Sequence, residues 1–275
     1  MLRLQLVSLG SLLVLLGTAH AARAGQGFDR EHAAWTALLA SHVRWNAAGI
    51  ASTVDYAGVA RDRAALDAYR AALAAVTRNE LDAWPEADRL AFLVNAYNAH
   101  TIALVLTRYP DLASIKDLGG WITSPWKQRF FELLGEPRSL DDVEHRMIRG
   151  GVGAREPRVH FALNCASVGC PALRPEAYRG DALEAQLADQ TRRFLSDRTR
   201  NRFDAAAGRL EVSKIFDWYG DDFVRAAGSV GRFLARHAAL LSDDAGARVN
   251  IEAAAVPIVF LDYDWALNDA KGARR

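Results

Sequence analysis

The run Ala91-Phe-Leu-Val-Asn-Ala-Tyr-Asn-Ala-His-Thr-Ile-Ala-Leu-Val-Leu106 constrains the fold of this chain more than any other stretch. Trp84-Pro85 opens a helix there, with Pro in a first-turn position, and Pro110 ends it just after Tyr109. The middle is apolar nearly all round, so the helix belongs in the interior. Polar groups inside such a helix cost on the order of 1–3 kcal/mol each unless they find partners. Asn95 and Asn98 stand three residues apart and share a face. Two readings apply to them: they tie down neighbouring segments, or one of them orients a reacting group or lines an oxyanion site.

Hydrophobic periodicity predicts further helices over 28–45, 61–76, 139–149, 181–195 and 230–241. Strands are predicted at 159–163, 210–212 and 258–261, the last preceded by Pro257, which suits a strand start or an edge. There is no internal repeat and no Pro/Ser-rich linker. The expected fold is α+β: one helix-rich domain over 25–275 whose small sheet carries a cysteine-containing loop at a strand end.

The N-terminus has the plan of a secretory signal peptide over residues 1–24. Met1-Leu-Arg3 is a short basic start, residues 4–16 are apolar, and Thr18-Ala-His-Ala-Ala-Arg-Ala24 offers cleavage after Ala21 or Ala24. An apolar run of about 13 residues is too short to span a bilayer comfortably, and no later stretch reaches spanning length. The mature chain is therefore expected to be exported, most simply into a bacterial periplasm, with no integral membrane segment. The formal net charge of +1, with both signs interspersed, removes nucleic acid as a leading partner.

Both cysteines sit in Arg158-Val-His-Phe-Ala-Leu-Asn-Cys-Ala-Ser-Val-Gly-Cys-Pro171. Cys165 and Cys170 admit three readings. They form a structural disulfide, as pairs in exported chains often do; they form a redox pair, although the gap differs from the two-residue spacing of thioredoxin-like motifs; or Cys165 is a nucleophile served by a histidine base. No ligand spacing for zinc is present, and no metal or other cofactor is expected. His160 is nearest in sequence, but along an extended strand it would lie about 16 Å from Cys165, at roughly 3.3 Å per residue, and on the opposite face. His145 comes from a separate helix and has Asp141 one turn earlier to hold its tautomer. It is the better base candidate, with Asn164 and the backbone N–H groups of the Ala166-Ser167-Val168-Gly169 turn as oxyanion donors. Asp117-Leu-Gly-Gly-Trp121-Ile-Thr-Ser-Pro-Trp126 reads either as a ligand-contacting loop or as tryptophans packed on the core.

The runs Phe92-Leu-Val-Asn-Ala-Tyr-Asn-Ala, Ser139-Leu-Asp-Asp-Val-Glu-His145, the cysteine stretch through Leu173, Ile215-Phe-Asp-Trp-Tyr219 and Tyr263-Asp-Trp-Ala-Leu-Asn268 together resemble the domain-of-unknown-function family numbered 547. The resemblance spans most of the mature chain. It implies export, as in many bacterial members, and makes Asn95, Asn98, His145, His160, Cys165 and Cys170 motif positions without giving them roles. By looser analogy, a histidine preceding an Asn-Cys dipeptide is similar to circularly permuted papain-like thiol enzymes. The leading expectation is a cysteine-dependent hydrolase or acyltransferase acting on a peptide, thioester or thiol-containing small molecule, with Cys165, His145, Asp141 and Asn164 at its centre. The alternatives are a periplasmic binding or scaffold protein with a Cys165–Cys170 disulfide and Trp121, Trp126 and Tyr219 lining a pocket, and a thiol-disulfide oxidoreductase.

Overall fold

The apolar run becomes the middle of a helix, Glu86–Val105, in which every residue from 90 to 105 is buried. Pro85 is its N-cap residue, and Glu86 and Asp88 place negative charge in the first turn, where the helix dipole favours it. The computed structural model describes residues 27–120 and 123–271. The expected signal peptide, with Ala21 and Ala24, and also Trp121 lie outside the described residues. Against the central helix pack Arg63–Ala75 and a π-type helical stretch, Asp142–Val152, while Ala33–His42 packs on Arg63–Ala75. Trp35 and Tyr69 stack with ring centroids 5.3 Å apart at the contact between those two helices.

A second apolar cluster is built from phenylalanines: Phe161, Phe194, Phe216, Phe223 and Phe233 are all buried in it. Helices Leu183–Ser196, Gly220–Ala227 and Val230–Ala235 contribute to it, together with a three-stranded sheet. In that sheet Arg202–Asp204 pairs antiparallel with Arg209–Val212, which pairs parallel with Ile258–Phe260, in the register Phe203 to Leu210 to Ile258. Two short hairpins, Val43–Trp45 with Ser52–Val54 and Phe131–Leu133 with Glu136–Arg138, complete a helix-rich α+β architecture. Among the described residues no helix is long and apolar enough to cross a membrane.

Of the three predicted strands, two lie side by side in this sheet. The third does not form: Pro157–Phe161 is a 3-10 helix. Pro157 fixes the first turn, the Glu156 carboxylate accepts the Arg158 N–H at 3.1 Å, and Val159, His160 and Phe161 are buried in succession instead of on alternate faces. The cysteine loop therefore follows a helical turn and not a strand end. Predicted helices also break. The segment 28–45 is a helix only to His42 before turning into a strand, and 230–241 divides into Val230–Ala235 and Ala238–Leu241.

The two asparagines of the central helix both tie down chain. Asn95 donates to the Tyr178 carbonyl at 2.7 Å and accepts the Tyr178 N–H at 3.0 Å. Asn98 donates to the Ala162 carbonyl at 3.0 Å and accepts the Asn164 N–H at 2.8 Å. Replacing Asn98 leaves both of those backbone groups buried and unpaired. We expect Asn98→Ala to lower unfolding free energy by about 2–4 kcal/mol, read from the urea midpoint at unchanged m-value. A loss below half a kcal/mol would mean that water replaces the amide.

Candidate functional site

Asn98 positions the cysteine loop, because it holds the chain on both sides of Leu163. Asn164 then closes the loop from within: its Nδ2 donates to the Pro171 carbonyl at 2.8 Å, and its Oδ1 accepts the Ala166 N–H at 3.0 Å. Ala166 takes a left-handed conformation, φ 61°, which is costly for a residue with a Cβ and brings the chain round between the cysteines. The sulfurs of Cys165 and Cys170 lie at bonding distance, 2.13 Å, and neither cysteine is free. The C-terminal segment lies across the loop, its Ala266 and Asp264 carbonyls accepting the N–H groups of Val168 and Gly169, each at 2.8 Å. A Cβ on Gly169 would stand 2.9 Å from the Asp264 carbonyl oxygen, so this close approach requires glycine. The Arg200 guanidinium donates to the Cys170 carbonyl.

The disulfide forms part of the wall of a cavity of about 200 Å³. Aromatic rings make up much of the rest: Tyr97 from the central helix, Trp126, Trp218, Tyr219, Tyr263 and Trp265. The two sulfurs differ in surroundings. Cys170 is buried, 3% exposed, and its Sγ faces the Cys165 backbone N–H at 2.9 Å, the Tyr263 hydroxyl at 3.2 Å and the Ser167 hydroxyl at 3.4 Å. Cys165 is half-buried and shares the two hydroxyls, Tyr263 at 3.3 Å and Ser167 at 3.4 Å, but has no backbone donor on its sulfur among the described residues. Burial pushes the Tyr263 phenol well above its usual value, so the hydroxyl keeps its proton.

His160 lines the same cavity. Its exclusion on sequence rested on an extended strand, and the 3-10 turn removes that argument. His160 Nε2 lies 2.7 Å from Asp222 Oδ2, and the ring stacks on Tyr219 with centroids 3.8 Å apart. Burial opposes ionisation of Asp222, but hydrogen bonds from His160 and Arg149 outweigh it and hold the carboxyl well below the usual carboxylate range. An ionised Asp222 can only accept, so Nε2 carries a proton and donates, which assigns the other ring nitrogen, Nδ1, as the one that can exchange a proton with the cavity. That Nδ1 is buried without a partner among the described residues. Arg149 grips Asp222 with two nitrogens, at 2.6 and 3.1 Å, and Arg225 adds a third contact at 2.6 Å.

The expected pair of His145 and Asp141 is present at the cavity, with Nε2 3.7 Å from Asp141 Oδ1. Burial raises the Asp141 carboxyl, the nearby His145 opposing that shift in part. His145 Nδ1 takes a hydrogen bond of 2.8 Å from Arg149, and no hydrogen bond joins His145 to Cys165 among the described residues. Asn164 gives one amide hydrogen to the Pro171 carbonyl and its Oδ1 to the Ala166 N–H in holding its loop, and the N–H groups of Ala166, Val168 and Gly169 all have protein acceptors. Asn95 and Asn98 act on backbone, as described above. Trp126 lines the cavity and meets Trp265 edge to face at 5.6 Å. Among the described residues no group of three or more His, Cys, Asp or Glu side chains could hold a metal ion.

Sequence reasoning missed Asp222, which lies 62 residues from its histidine. Glu144 was missed as well: 5% exposed, it lines the cavity, and after burial its charge is the next cause that raises the Tyr97 and Tyr219 phenols. The runs around Tyr219 and Tyr263 were visible only as pieces of a family resemblance. Asp222→Asn should destabilise the protein by about 3 kcal/mol at pH 7, since Arg149 and His160 lose a buried carboxylate. A depressed carboxyl stabilises the fold above the unfolded value of about 3.9, and that contribution disappears as pH falls through the folded value. The gap between variant and wild type should therefore narrow below about pH 4; urea unfolding at pH 7 and pH 3 reads both.

No curated protein and no solved structure matches the chain. Residues 81–195, which carry the central helix, Glu144, His145, His160 and both cysteines, match the model of the family described as Protein of unknown function, DUF547.

Proposed function

We propose that this chain is a thiol–disulfide exchange enzyme acting on a small thiol held in the aromatic cavity. The observation that carries the reading is the asymmetry of the disulfide: the two sulfurs share the Ser167 and Tyr263 hydroxyls, but Cys165 is half-buried at the cavity wall, while Cys170 is buried and its sulfur alone faces a backbone N–H, that of Cys165. A thiolate attacks the accessible sulfur and expels the one whose negative charge is better stabilised. Three donors around Cys170 Sγ serve that leaving thiolate as an oxyanion hole serves an alkoxide.

The exchange runs in two balanced steps. His160 Nδ1 takes the proton of a substrate thiol; the substrate sulfur bonds to Cys165 Sγ, the Cys165–Cys170 bond breaks, and Cys170 leaves as a thiolate that accepts the proton. A second substrate thiol, deprotonated in the same way, then attacks the substrate sulfur of the mixed disulfide; the bond to Cys165 breaks, and Cys165 leaves as a thiolate that accepts that proton. The substrate departs oxidised, the protein is left as a dithiol, and two electrons have moved. A cavity of about 200 Å³ is below the range of about 300–1,000 Å³ usual for ligand pockets, so the substrate is a small molecule or the tip of a larger one.

The hydrolase or acyltransferase reading has weaker support. It needs Cys165 as a free thiolate and His145 free to serve it, whereas the first is bonded to Cys170 and the second takes a hydrogen bond from Arg149. A binding or scaffold protein would use the same cavity with an inert disulfide. Export, with cleavage near Ala21 or Ala24, belongs to the proposal because an oxidising compartment sustains a disulfide.

Reaction of the native protein with dithiothreitol tests the reading. Two thiols should appear per chain, at least a hundredfold faster than in the urea-unfolded chain, and Cys170→Ser should trap a mixed disulfide on Cys165. His160→Gln should slow exchange by about 10²-fold, the lower end of general acid–base effects, without moving the reduction potential. Exchange no faster than in the unfolded chain would leave the scaffold reading in its place.

A further inference from the structure

A second cavity, of about 340 Å³, draws four arginines from four separate elements. Arg78 comes from the short helix Arg78–Asp82, Arg89 from the first turns of Glu86–Val105, Arg138 from the end of the strand Glu136–Arg138, and Arg146 from Asp142–Val152. One carboxylate, the exposed Asp82, lines it among the described residues.

These arginines are poorly neutralised by the protein. Arg138 is 7% exposed; one of its terminal nitrogens reaches Glu136 at 2.7 Å, but its Nε is buried with no hydrogen-bond partner among the described residues. Arg89 is half-buried and its Nε is likewise without a partner. Among the described residues no carboxylate lies within 4 Å of Arg89 or Arg78, and Arg146 reaches Asp142 only at 3.3 Å. A guanidinium cannot shed its proton to escape burial, and a buried donor without an acceptor costs on the order of 1–3 kcal/mol. An arriving oxyanion relieves both the unpaired donors and the mutual repulsion.

We propose that this cleft binds a phosphate group. Several planar donor forks from different directions suit an anion with three or more oxygens and up to two charges better than a planar carboxylate, which one fork satisfies. Leu81, Leu93 and Met147 supply an apolar wall for an organic substituent. The phosphate is carried either by a small soluble molecule or by a lipid headgroup, and the cleft chemistry is the same for both. None of the four arginines lines the disulfide cavity, so this site stands independently of the thiol reading.

Titration calorimetry of the full chain with inorganic phosphate should show one site, while co-sedimentation with phosphatidylglycerol vesicles, against phosphatidylcholine, reports the lipid-borne group. Arg89→Gln should weaken the response at least tenfold, and Arg78→Gln, an exposed position that leaves the fold intact, several-fold. Arg61→Gln, an exposed position outside the cleft, should bind as wild type. Response to phosphate assigns a soluble ligand, and response to anionic vesicles alone assigns a headgroup. Wild-type binding by Arg78→Gln, or no response to either probe, overturns the proposal.

Discussion

The side-chain amide of Asn98 is the joint on which the disulfide loop depends. A carboxamide has a donor and an acceptor side by side, and Asn98 applies one to the Ala162 carbonyl and the other to the Asn164 N–H. Leu163 is thereby pinned between two anchors on a helix that is itself buried along its length. Asn95, three residues earlier and so about 4.5 Å along the axis at 1.5 Å per residue, grips the backbone of Tyr178 in the same way. The central helix thus spaces two distant segments as well as filling the core. Burial makes the arrangement rigid, since a lone amide in water would exchange its partners freely.

Charge on the adjacent wall is organised around Asp222. This single carboxylate receives His160, Arg149 and Arg225, and Arg149 in turn lies over the Tyr219 ring at 5.0 Å while Tyr219 stacks on His160. Each partner restrains another: the carboxylate fixes the histidine tautomer, the arginine keeps the carboxylate ionised, and the tyrosine ring holds the imidazole plane. Glu144 has no cation within ion-pair distance among the described residues, and burial followed by its charge pushes the Tyr97 and Tyr219 phenols upward. Protonated phenols and an oriented imidazole therefore line the cavity that the disulfide borders.

Much of this was legible in the sequence, for reasons that differ by residue. The central helix was plain because apolar residues on every face allow only burial, and its asparagines were flagged because buried amides require partners. Which partners they take was hidden, since Asn98 and Asn164 are 66 residues apart. The fold class was readable from periodicity, and strands 210–212 and 258–261 were found, but alternation misled at 159–163. There Pro157 and the Glu156 cap impose a tight helical turn whose side chains are buried in three directions. That local error propagated, because the extended reading was the ground for setting His160 aside. The spacing of Asp141 and His145 correctly put them on one face, yet nothing local could reveal that Arg149 would also claim His145.

The helical stretch Asp142–Val152 explains how one segment borders two unrelated cavities. Glu144 and His145 line the aromatic cavity; Arg146, Met147, Gly151 and Val152 line the arginine cleft. In an ordinary α-helix residues return to a face every three or four positions, whereas the π-type winding with non-helical geometry at Gly151 displaces that return and turns consecutive residues toward different surroundings. The winding is maintained from outside: Asp142 is held by both donors of Ser139 at its start, and Arg149 is clamped to Asp222 near its end. The side toward the aromatic cavity carries Glu144 and His145 and the side toward the cleft carries Arg146, with only the width of a helix between them. The Arg149–Asp222 clamp therefore does two things at once: it sets the His160 tautomer on the sulfur side, and it fixes the helical segment that presents Arg146 to the cleft.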